Sequence, residues 1–148
     1  RTMVDRHDLS VLRFVDRGDL VAQCNISELT EVEAGKHMAL ESFQQEVQRS
    51  LGDNFGQIVQ ASQFEAEEGT RVLRVQASGS ASEIPVTWIC YHISSAAGRR
   101  ASLAFTLQDE LLERFAGNDT TIVESFEFTP RPEATEARRR PAAEPDRR

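Results

Sequence analysis

Between Gln57 and Leu107 four apolar runs alternate with short breaks that each hold a glycine. The runs are Gln57–Phe64, Thr70–Ala77, Ile84–Ser94 and Arg100–Leu107; the breaks carry Gly69, Gly79 and Gly98. Runs this short, rich in β-branched and aromatic residues and divided by turn formers, read as consecutive strands of an antiparallel meander. In the third run Val86, Trp88 and Cys90 share one face, and Ile89, Tyr91 and Ile93 the other. The chain's only tryptophan is thereby predicted to be covered, whichever face meets a helix. A symmetric turn centred between Ala96 and Ala97 sets Trp88 opposite Phe105 and Cys90 opposite Leu103, an aromatic cross-strand pair.

Upstream, Leu9–Asp16 and Asp19–Ile26 flank Arg17-Gly18, a hairpin signal. If Asp16 faces Asp19, then Val15 faces Leu20, Val11 faces Cys24 and Leu9 faces Ile26. Leu12, Phe14 and Val21 lie on the other side. Both faces are then partly apolar, which predicts a sheet covered on both sides. Ala39–Leu51 carries Leu40, Phe43, Val47 and Leu51 at helical spacing, and Gly52 follows as a stop. Asp109–Phe115 reads as a short helical turn and Asn118–Glu124 as a second helical piece. Phe126 and Phe128 then alternate as a final strand. The expected order is ββ-α-ββββ-α-β, an α+β fold with a mainly antiparallel sheet between helices, an α/β/α sandwich.

Seventeen Lys+Arg stand against 24 Asp+Glu, giving a net charge of −7. That balance argues against nucleic acid, because phosphate affinity rests on basic surface. Residues 130–148 hold four of the five prolines and six arginines, and almost no apolar group larger than alanine. Such a segment cannot bury enough surface to offset its ordering entropy and is expected to be a disordered tail, with residues 1–129 as one domain. Its basic charge suits an acidic partner or the acidic body.

The expected site chemistry is mostly a set of absences. No HExxH, paired CxxC, GxSxG, Walker lysine or GxGxxG occurs, and Lys36 is the only lysine. Kinase, NTPase and dinucleotide chemistry is therefore not expected. Asp5, His7 and Asp8 have ligand-type side chains without metal-site spacing, so no metal or cofactor is predicted. Cys24 and Cys90 fall in strands and are expected to be buried free thiols; the alternative, a disulfide between them, needs adjacent strands. Glu65, Glu67 and Glu68, like Glu28, Glu31 and Glu33, read as solvating acids. The remaining candidates are large aromatics: Trp88, Tyr91, Phe105 and Phe43 are expected to pack as core or to line an apolar pocket.

A hairpin start, the helix ALESFQQEVQRSL, a meander with central Trp88, the turn ERFAGND and the closing ESFEF together resemble the Mog1/PsbP-like superfamily. Trp88 to Phe128, with WICYHI, a GRR turn and SLAFTL, is most similar to small extracytoplasmic bacterial members of uncharacterised function. The resemblance spans residues 1–129 and implies that a strand of the family pattern has been lost ahead of Arg1. It also implies an extracytoplasmic home, with membrane association only through an N-terminal anchor outside this sequence. No residue role carries over. The expected function is a non-enzymatic binding or accessory domain of a bacterial envelope-associated protein, meeting a protein partner. The alternatives are a carrier of a small apolar ligand or lipid, and a weak hydrolase using His92 or His7 with nearby acids.

Overall fold

Alternation in the strands and helical spacing in Leu40–Leu51 produce one sheet with helices on opposite faces. The computed structural model describes residues 3–4 and 9–129, and side chains from residue 10 onward. Asp5, His7, Asp8 and the expected tail 130–148 lie outside those residues. The strands are β1 (Met3–Val4), β2 (Leu9–Asp16), β3 (Asp19–Leu29), β4 (Phe55–Glu65), β5 (Arg71–Ala81), β6 (Ile84–Ser94) and β7 (Arg100–Gln108). They form an antiparallel sheet of order β1-β2-β3-β7-β6-β5-β4. The first hairpin therefore joins the meander through β3 and β7, and β4 forms the far edge. The helices are α1 (Leu40–Leu51), α2 (Leu112–Phe115) and α3 (Asn118–Glu124). This is the expected α+β sandwich, with two departures in element order. A two-residue β1 precedes the hairpin, and no strand forms at Phe126–Phe128. Those two rings instead meet each other edge to face at 5.2 Å, and Arg99 lies 5.0 Å over Phe128.

Two registers differ from expectation by one residue. Near the first turn Asp16 faces Asp19 and Val15 faces Leu20, as predicted, but a bulge at Val21 then sets Phe14 opposite Ala22 and Leu12 opposite Cys24. The slip gathers the hairpin's apolar side chains onto one face. Leu12, Phe14, Ala22, Cys24 and Ile26 join the core there. The opposite side is left open, with Val15 and Leu20 both more than half exposed. The hairpin is thus covered on one side, not two. Between β6 and β7 the connection is Ser95–Arg99, closed by Ser95 N–H donating to Arg99 O and Gly98 N–H donating to Ser95 O. This odd-length turn pairs Trp88 with Thr106, Cys90 with Ala104, Ile89 with Phe105 and Tyr91 with Leu103. The expected Trp88–Phe105 pair is not formed, since a one-residue slip moves Phe105 to the other face.

Each helical layer covers half of its face. Phe43 and Val47 of α1 pack on Leu73, Val75, Ala77, Val86 and Trp88, over the outer strands β4–β6. Phe115 of α2 and Val123 of α3 pack on Cys24, Leu103, Phe105 and Leu107 of the inner strands. The α1 face over β3 and β7 is left with Gln23, Asn25, Ser27, Ser102 and Thr106, small or polar groups that tolerate water. The α3 face over β4 and β5 is left partly open. That opening is the candidate site.

Candidate functional site

The opening is a groove of about 870 Å³. Its floor is Val72 on β5 with Tyr91 and Ile93 on β6. One wall is α3 and the segment after it, through Val123, Phe126 and Phe128; the other is Phe64 of β4 with residues 66–70. The turn at Ser95–Ala97 closes one end. Alternation explains the floor: Phe64 faces Val72, Val72 faces Ile93, and Ile93 faces Ala101, so one apolar row crosses four strands.

A polar lock fixes α3 against this floor. Tyr91 Oη donates to Asp119 Oδ2 at 2.6 Å, and Arg74 Nε donates to the same oxygen at 3.1 Å and to Tyr91 Oη at 3.0 Å. The remaining guanidinium nitrogens donate to Gln60 and Gln76. Asp119 is buried, so its charge is tolerable only because Arg74 and Tyr91 supply donors. Burial, reinforced by the Asp119 hydrogen bond and charge, pushes the Tyr91 phenol up to about 12. Arg74 is thus held in the lock through all three of its guanidinium nitrogens.

At the rim stand Glu67, Glu68, Glu124 and Glu127, all exposed and without an ion pair among the described residues. The other acids are differently placed. Glu65 pairs with Arg71, Glu28 with Arg99 and Glu33 with Lys36.

The four expected aromatics do not line one pocket. Tyr91 lines the groove, and Phe105 lies beside it in the core with ring centroids 6.1 Å apart. Trp88 and Phe43 are on the opposite face, under α1. Strand alternation separates Trp88 from Tyr91, so no cavity in this sheet can hold both. Phe64, Phe126 and Phe128 supply the groove instead, and a half-apolar strand end followed by a short Phe-x-Phe was the only signal for them.

His92 is 1% exposed, its ring 5.6 Å from Phe43, and neither ring nitrogen has a hydrogen-bond partner among the described residues. Burial, then Arg100 and His37, lower its pKa to about 4. Among the described residues no acid pairs with it, so the histidine–acid pair expected for a hydrolase is not assembled there from them. His37 shares a 2.6 Å hydrogen bond with Ser94, but that serine is buried. Cys24 and Cys90 are both free thiols, on opposite faces with β7 between their strands; burial pushes each up to about 12. No group of three or more His, Cys, Asp or Glu able to hold a metal occurs among the described residues. No helix among them is long and apolar enough to cross a membrane.

No family model matches the chain, and no curated protein matches it. Among solved structures it is similar to PA94 from Pseudomonas aeruginosa, a protein of unknown function suggested to be a regulator. The TM-score is 0.62 at 7% identity, covering 86% of this chain and 87% of that one. The likeness is one of fold.

Proposed function

We propose that this chain is a non-enzymatic binding domain whose site is the α3-face groove and whose partner is a protein. The observation that carries the reading is the combination of an apolar groove, bordered by the half-exposed Phe64, with a rim of four acids that have no ion pair among the described residues. A protein segment bearing apolar side chains flanked by Lys or Arg fits both parts, whereas nucleic acid would meet like charge. The lock supports binding over catalysis, because Arg74, Tyr91 and Asp119 are committed to one another. A bacterial, extracytoplasmic, envelope-associated setting is part of the proposal. It rests on the resemblance of Trp88–Phe128 to small members of the Mog1/PsbP-like superfamily.

The test is a photo-crosslinking residue at Thr120 on the groove wall, compared with one at Glu46 on α1, in bacterial cells making the protein. An adduct of defined mass at Thr120 alone supports the reading. Equal labelling at both sites, or none, removes it.

A second reading, a carrier of a small apolar ligand, is favoured by the groove's size, which falls among small-molecule sites of about 300–1,000 Å³. Native mass spectrometry of freshly purified protein separates the two. A bound apolar species favours the carrier; a clean apo mass counts against it.

A further inference from the structure

We infer that the partner segment enters as an extra strand on the outer edge of β4, along Gln60–Glu65. The inference rests on the reading of the groove as a site for a protein segment. Among the described residues nothing pairs with the outer side of β4, which ends the sheet. Long edge strands are normally blunted by bulges, Lys or Pro. Here the two register irregularities, at Phe55/Gln57 and Ile58/Gln60, are confined to the first half of the strand. From Gln60 to Glu65 the pairing with β5 is regular, residue for residue, and the segment QASQFE holds neither Lys nor Pro.

The side chains give this stretch a direction and a chemistry. The apolar row Ala101–Ile93–Val72–Phe64 runs to the edge and stops at Phe64, which is 46% exposed. A strand laid beside β4 continues that row with one apolar side chain next to Phe64, on the groove side. Its flanking residue then meets Glu67 and Glu68, just past the end of β4. The occupant is therefore an extended segment of about six residues, alternating apolar and polar, with Lys or Arg at the end beside those acids. Main-chain hydrogen bonds supply its affinity and alternate side chains its specificity.

The test is selection of a displayed random dodecapeptide library on the full chain, followed by hydrogen exchange with the enriched peptides. Enriched peptides should alternate apolar and polar residues, carry a terminal Lys or Arg, and slow exchange of the Gln60–Glu65 amides as well as the groove. N-methylation of alternate peptide amides should abolish binding. Phe64→Glu should weaken it about fivefold or more, the loss of one cross-strand contact plus an added like charge. Phe64→Thr, a mild change at a half-exposed site, should fold normally and show an intermediate loss. Peptides that protect only the groove floor and α3, and bind equally well when N-methylated, overturn strand addition and leave the groove reading standing. No enrichment over an unrelated acidic protein overturns both.

Discussion

His92 occupies a strand position that alternation reserves for an apolar side chain. Cys90 and Ser94 flank it on the same face, Leu73 and Ser102 lie opposite on the neighbouring strands, and Phe43 covers it from α1. The charges that bear on it are those of Arg100 on β7 and His37 in the segment before α1. The folded state therefore holds the ring neutral. Its folded pKa of about 4 lies below the ordinary 6.5, so between those values the unfolded chain binds more protons. This contribution to stability is fully present above about pH 6.5 and is lost as pH falls toward 4. The loss should reach about 3 kcal/mol, the free-energy equivalent of such a gap. Urea midpoints measured across that range should fall steeply for the native sequence and less for His92→Leu; parallel curves would show that other groups dominate. Gly79 illustrates a different constraint at this scale. A Cβ there would lie 2.0 Å from the Asn54 carbonyl oxygen and 2.9 Å from the Trp88 ring, so the bare backbone lets the start of β4 and the tryptophan close on the same spot.

α3 has only seven residues, too few to persist alone, and its position depends on what it touches. Val123 supplies the apolar contact and Asp119 the polar one. Asp119→Ala should cost about 3–5 kcal/mol in thermal or urea unfolding, because it strands a partly buried Arg74. Asp119→Asn should cost less and should bring the Tyr91 phenol down from about 12 without restoring its ordinary value, since burial is the larger cause. Ultraviolet titration reads that shift directly; an unmoved phenol would mean that the hydrogen bond is unimportant. Elements of this kind differ in how far the sequence discloses them. α1 was legible because period and stop agree, and its buried pair Phe43 and Val47 is the one the spacing selects. Strand existence was legible for β2 to β7 for the same reason. Register was not, because a bulged residue such as Val21, or a five-residue turn in place of a four-residue one, leaves the local pattern intact while exchanging the faces. Phe126–Phe128 has a strand's alternation, but alternation cannot say whether a ladder partner is available, and there the rings pack on the sheet face instead. The groove was the least legible feature of all. Its walls come from β4, β5, β6, α3 and two connections, and their proximity follows from the sheet order and from the contacts that hold α3 on the sheet.

In the whole molecule one seam has no local counterpart. Gln23–Leu29 of β3 pairs with Arg100–Thr106 of β7, and α1 together with β4, β5 and β6 lies between them in the chain. The other long pairings in the meander join neighbours in sequence. Closing the seam carries the largest loop entropy, and contacts of that kind form slowly. Pulse-labelled refolding should therefore protect β5 and β6 amides before those of β2 and β3. Simultaneous or reversed protection would contradict that order. During synthesis the same seam has a temporal meaning. The first hairpin is translated before the meander, so the edge of β3 destined for β7 stays bare until β7 has been made. An unmated strand edge invites wrong partners, so the nascent chain is most vulnerable to misassociation along β3, and the arrival of β7 ends that exposure.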